Sequence, residues 1–208
     1  MKEYRTIAQG EVVVTKVIEK SKFIAAALHV DTVEQAVEFV NAKKKKYFDA
    51  THNCYAYIVG DKVKFSDDGE PQGTAGMPIL DCIKNNNLDF VCVVVTRYFG
   101  GIKLGAGGLV RAYSGSCADA LHACQVVTML PCERIQVVVD YSMLKVLRKA
   151  LLGIALETDV VYSDVVTLQY LFPATLSTTI ANIVTENTLG KGVLTTIEQL
   201  LYPWVDLQ

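Results

Sequence analysis

Residues 90–113 read FVCVVVTRYFGGIKLGAGGLVRAY. Phe90 to Tyr98 is a near-continuous apolar run, the mark of a strand buried on both faces. It runs directly into Phe99-Gly100-Gly101, and a long helix is expected to begin near Gly107. In that helix Leu109, Ala112, Tyr113, Cys117, Ala120, Leu121 and Cys124 recur at three- and four-residue intervals, a stripe that packs on a sheet. A core strand, a glycine-rich loop and a packed helix therefore anchor an α+β domain.

Upstream, Glu11–Lys16 and Lys22–Val30 carry the Val, Ile and Phe of two strands, expected to pair as a hairpin. Asp31 and Thr32 offer a cap to a helix whose apolar face is Val33, Ala36, Val37 and Val40, closed by Lys43–Lys46. Those lysines suit either a phosphate or a solvated helix end, where cations complement the dipole. Strands follow at 54–59 and 62–65, with Gly60-Asp61 between them as a hairpin signal, and Pro78 opens a short helix to about Asn85.

Downstream, Pro131 punctuates the chain, and the boundary between two domains, 1–130 and 131–208, is placed there. The remainder reads as strand 134–140, helix 142–152, strands 156–162 and 165–172, helix 176–187 and strand 194–201. That βαββαβ order is a ferredoxin-like plan. Asp140 supplies an N-cap and Gly153 a helix stop.

Composition narrows the class. The chain has 208 residues, 51% of them hydrophobic and 20% charged, as in an ordinary folded protein. No apolar run approaches the roughly 18 residues that span a bilayer, and the first residues lack a signal peptide's apolar core, so a cytoplasmic protein with no membrane partner is expected. The six cysteines form no C-x-x-C pair and read as reduced, mostly buried side chains, so no metal is expected. Residues 1–130 hold 15 Lys and Arg against 14 Asp and Glu, and residues 131–208 hold 5 against 8. Any nucleic-acid contact must therefore be local.

Two segments carry chemistry. Between Arg97 and Tyr113 the five glycines Gly100, Gly101, Gly105, Gly107 and Gly108 let backbone N–H groups approach an anion, and Arg97, Lys103 and Arg111 add charge. A phosphate, a carboxylate or a nucleic-acid backbone all fit. The named nucleotide motifs do not, because Gly100-x-x-x-x-Gly105 is followed by Ala106-Gly107 instead of Lys-Ser/Thr, and Val110 stands where a third glycine is needed. The second segment runs from Asp67 through Asp68, Glu70 and Thr74 to Gly76, and its carboxylates could hold Mg²⁺ against a phosphate, pair with Arg97 or Arg111, or form a solvated turn. His52 and Cys54 alternate onto one strand face, but no third group is in view to orient a dyad.

Ser21-Lys22-Phe23-Ile24, His52-Asn53-Cys54-Tyr55-Ala56-Tyr57, the DDGEPQGTAGMP segment (67–78) and RYFGGIKLGAGGLVRAY (97–113) together resemble the IMPACT/YigZ family. The resemblance covers about the first 120 residues, and the C-terminal half resembles the smaller domain of bacterial members. It implies an N-terminal fold of the ribosomal-protein and GHMP-kinase kind with a left-handed βαβ crossover, and a C-terminal domain like the last domain of elongation factor G. It also implies a link to translation, since eukaryotic members are translational regulators acting in a stress response. The expectation is a binding protein without catalytic residues or cofactor. RNA, the ribosome or a translation-associated protein would be held through Arg97, Lys103, Arg111, the five glycines, Asp67, Asp68, Glu70, Thr74, Gly76 and His52. Two alternatives stand beside it: a Mg²⁺-dependent enzyme acting on a phosphorylated small molecule, and a purely protein-binding regulator. The oligomeric state is left open.

Overall fold

The computed structural model describes residues 1–204. The chain divides into two compact units, one of Tyr4–Val127 and one of Met1–Glu3 with the residues from Thr128 onward. Together they hold two sheets and, among the described residues, five α-helices, an α+β architecture.

The first unit runs β1 (Tyr4–Ile7), β2 (Val12–Ile18), β3 (Ser21–His29), α1 (Val33–Lys46), β4 (His52–Val59), β5 (Lys62–Ser66), α2 (Gly76–Asn85), β6 (Val91–Tyr98) and α3 (Gly105–His122). Its sheet has the order β2-β3-β6-β4-β5. The apolar run of β6 is explained by its place at the centre. Cys92 and Val94 pack with Phe39 and Val40 of α1, while Val91, Val93 and Val95 pack with Ile79 of α2 and Leu109 and Tyr113 of α3. Both faces are covered, as expected, yet every ladder in this sheet is antiparallel.

The hairpin β2–β3 closes through Glu19 and Lys20, both at positive φ (44° and 63°), the conformation of a two-residue turn that matches strand twist. Neither residue is one that announces such a turn. Thr32 caps α1 by accepting from the Gln35 N–H at 3.3 Å. The lysine run at its end is only partly solvated: Lys43 is buried and paired with Glu11, and Lys44 reaches Asp68 at 2.6 Å. α3 starts two residues before the expected Gly107, so Gly107 and Gly108 lie in its first turn, where N–H groups need no intrahelical partner.

The second unit runs β7 (Val126–Val139), α4 (Tyr141–Leu151), β8 (Leu156–Tyr162), β9 (Val166–Pro173), α5 (Ser177–Asn187) and β10 (Val193–Pro203). Its strands neighbour one another as β10-β7-β9-β8, all antiparallel. Ile135, Val137, Leu168 and Tyr170 pack under Leu147, Leu151, Ile180 and Val184. Pro131 does not break the chain. It lies inside β7 opposite Leu201, one residue before the β9 ladder begins at Cys132. A proline is tolerated in a strand where no ladder bond is demanded of its nitrogen.

Two core thiols make stability pH-dependent. Burial pushes Cys54 and Cys92 far above the ordinary thiol value of 9.0, so folding keeps them protonated where the unfolded chain ionises them. Their contribution is complete below about pH 9 and is lost as pH rises, by about 1.4 kcal/mol per pH unit for each thiol. Urea unfolding between about pH 8 and about pH 10 should show the free energy of a Cys54→Ala/Cys92→Ala chain falling less steeply than that of the natural chain. Parallel profiles would contradict it.

Candidate functional site

The segment 67–76 is ordered by its first carboxylate. Asp67 Oδ1 accepts from the N–H groups of Ala75 (3.0 Å) and Gly76 (2.7 Å), and Oδ2 accepts from Gly73 (2.8 Å). It thereby caps the start of α2, whose own N-cap residue, Ala75, offers no side chain to do so. Asp68 accepts from Lys44 Nζ (2.6 Å) and from the Asn53 N–H (2.7 Å). Both aspartates are spent on N–H donors, which does not suit them to a Mg²⁺ ion needing several free carboxylate oxygens. No group of three or more His, Cys, Asp and Glu among the described residues could hold a metal. Thr74 donates its hydroxyl to the Pro71 carbonyl (2.6 Å) and shapes the turn. Gly76 is there because a Cβ would lie 2.7 Å from the Ser66 backbone.

Glu70 points inward instead. Its Oε1 accepts from Arg97 Nη1 at 2.7 Å and from the Tyr113 hydroxyl at 2.8 Å, and both Glu70 and Arg97 are buried. The Arg97 guanidinium lies over the rings of Phe23 and Phe99, 5.5 and 5.4 Å from their centroids, and Nη2 reaches Ser21 Oγ at 3.4 Å. Its Nε–H has no acceptor among the described residues. Arg97 is thus held in place as much as it is offered.

His52 and Cys54 do not form a dyad. The Cys54 thiol donates to the Asp67 carbonyl at 3.0 Å, and burial pushes it far above the usual thiol range, so it stays protonated and unreactive. His52 has an orienting partner that sequence reasoning did not find. Its Nδ1 lies 2.8 Å from the Asp68 carbonyl, which can only accept, so Nδ1 carries the proton and Nε2 is free to face Glu70 Oε2 at 3.8 Å.

These residues meet at a cavity of about 370 Å³. His52, Glu70, Arg97, Lys103 and Gly105 line it, together with Thr51, Pro71, Phe99, Leu104, Ala106 and Leu109. The start of α3 forms one wall through Gly105 and Ala106, with no side-chain cap and no acid in its first turn, so the positive end of its dipole lies beside the space. Arg111 is not brought to this cavity. It is exposed and lines a separate groove with Ile18, Glu19 and Lys103. Gly100 does not face a ligand either; it packs on the β2–β3 turn, where a Cβ would fall 2.0 Å from the Lys20 carbonyl carbon. Gly101 turns the chain at φ 86°, and Gly107 and Gly108 belong to the helix. Tyr113 and Ser21 are the residues that sequence reasoning passed over. A tyrosine among Ala112, Cys117 and Ala120 was the available signal, since a hydroxyl on a buried stripe requires a partner.

Comparison with known proteins places these residues in one family segment. The Impact N-terminal domain model matches residues 19–121, which take in the lining residues and nearly all of α3. The chain is 53% identical over 114 residues to the IMPACT family member YvyE of Bacillus subtilis, covering 53% of this chain and 52% of that protein. The chain therefore spans about half the length of that relative. To the IMPACT family member YigZ of Escherichia coli it is 39% identical over 152 residues, covering 71% of this chain and 74% of that protein. The crystal structure of a hypothetical protein superposes with a TM-score of 0.62 at 32% identity, covering 95% of this chain and 98% of the other.

Proposed function

The chain belongs to the IMPACT family, and on that premise we propose that it is a translation-linked binding protein, holding an anionic group of RNA, the ribosome or a translation-associated protein at the cavity. The observation that carries this reading is the uncapped start of α3, which faces a cavity also lined by Arg97 and Lys103. Four amide N–H groups without intrahelical partners favour an anion there. Glu70 already compensates Arg97, so the charges free to meet a polyanion are Lys103 and Arg111, both exposed.

The finer fold reading belongs to the same proposal. Residues 1–130 would form the ribosomal-protein and GHMP-kinase kind of domain, with a left-handed βαβ crossover. Residues 131–208 would form a ferredoxin-like domain resembling the last one of elongation factor G. The strand order β10-β7-β9-β8 around two helices supports the second of these. A likeness of folds does not by itself carry a function.

Binding of a single-stranded RNA over a salt series tests the reading. Affinity should fall linearly on a log-log scale, and Lys103→Glu with Arg111→Glu should flatten the slope by about 1.4, the value for two lost phosphate contacts. Both residues are exposed, so the chain should still fold. An RNA affinity and salt slope unchanged by the pair would remove RNA from the proposal. Capture from lysate with and without ribonuclease would then identify a protein partner, which should be lost with the same pair.

A further inference from the structure

His52 and Glu70 present two hydrogen-bond acceptors to one cavity. Nδ1 of His52 is committed as a donor to the Asp68 carbonyl, so a neutral imidazole offers a lone pair at Nε2. Glu70 Oε1 is taken by Arg97 and Tyr113, while Oε2 accepts no hydrogen bond from the described residues. Nε2 and Oε2 lie 3.8 Å apart, beyond a direct hydrogen bond, so each is open to a donor of its own.

The opposite chemistry lines the rest of the cavity. The groups there that favour an anion are the start of α3, at Gly105 and Ala106, and the Lys103 ammonium. One end thus favours an anion and the other a hydroxyl. The volume of about 370 Å³ is near the lower limit for small-molecule sites, about 300 Å³, so it suits a small ligand or a strand terminus.

We infer that the cavity binds a phosphate monoester bearing a hydroxyl, as in a sugar phosphate or a nucleotide. The phosphate lies at the start of α3, and the hydroxyl donates its one proton to His52 Nε2. The inference rests on the cavity being the ligand site proposed above, and it adds the chemical class of the ligand. Two sources share this chemistry: a free metabolite and the phosphorylated end of an RNA strand.

Calorimetric titration of the full chain with glycerol 3-phosphate and with n-propyl phosphate tests it, because the two differ in their hydroxyls. Glycerol 3-phosphate should bind at least about tenfold more tightly, and in His52→Ala the ratio of the two affinities should fall to about one. Equal affinity of the natural chain for the two ligands, or no binding of either, overturns the inference, and neither result depends on a variant folding. A short RNA with a 5′-phosphate that displaces glycerol 3-phosphate, where its 5′-hydroxyl counterpart does not, assigns the site to a strand end; displacement by neither assigns it to a free metabolite. RNA binding without the hydroxyl preference would sink this inference and leave the translation-linked reading standing. The preference without RNA or protein capture would do the reverse.

Discussion

Arg97→Met is expected to destabilise the chain by about 3–5 kcal/mol, the usual loss when one partner of a buried ion pair is removed. The side chains of Arg97 and Glu70 are 6% and 4% exposed, and Nη1 and Oε1 are 2.7 Å apart. Methionine preserves much of the apolar stem between Phe23 and Phe99 but leaves a carboxylate buried with only the Tyr113 hydroxyl as a donor. Glu70→Leu should cost a similar amount by stranding the guanidinium. The double variant should lose much less than the sum of the two, because no unpaired charge remains, although the Tyr113 hydroxyl then lacks its acceptor. Urea denaturation of the four chains gives the coupling, expected at about 2 kcal/mol or more. Additive losses would mean that the pair is not the buried unit described here.

Gly100→Ala is expected to cost more than about 3 kcal/mol or to prevent folding, the upper end for overpacking. Its Cβ would stand 2.0 Å from the Lys20 carbonyl carbon and oxygen and 2.5 Å from the Ser21 nitrogen. These are backbone atoms of the β2–β3 turn, already committed at positive φ, so neither segment can yield cheaply. Gly107→Ala is the matched control. Its Cβ meets nothing nearer than Arg111 Nη1 at 3.6 Å, and alanine in a helical turn is favoured over glycine by about 0.5–1 kcal/mol. Thermal unfolding should therefore separate two glycines of one motif in opposite directions. A mild effect at Gly100 would show that the turn gives way, and the close approach would lose its significance.

These outcomes bear on how the motif is read. The glycine-rich loop resembles a phosphate cradle, but its glycines do different jobs: close approach at Gly100, a turn at Gly101, and helix start at Gly105, Gly107 and Gly108. The acidic segment divides in the same way, into a helix cap (Asp67), a strand and lysine contact (Asp68) and a buried partner for Arg97 (Glu70). Composition alone assigns all three acids one role. Geometry gives each a separate one.

Much of the fold was legible because it rests on local pattern. The run from Val91 to Val95 marks a central strand, the stripe from Leu109 to Leu121 marks the packed face of α3, and the βαββαβ order of the second unit follows from periodicity. Misses fall where local signals are weak or ambiguous. β1 has only four residues, and Pro131 is a breaker in most contexts yet sits within β7.

The candidate site was legible by residue type and not by arrangement. His52, Glu70, Arg97, Lys103 and Gly105 meet at one cavity, as their chemistry invited. Arg111, which follows them on the same helix, faces elsewhere, and Asp67 and Asp68 are consumed by backbone and lysine. By itself the sequence determined the elements, the covered faces and the supply of charged groups, because those depend on spacings of a few residues. Only the tertiary structure decided which charges cancel and which remain for a ligand. Glu70 meets Arg97 across 27 positions and Tyr113 across 43, and no local spacing encodes a contact of that span.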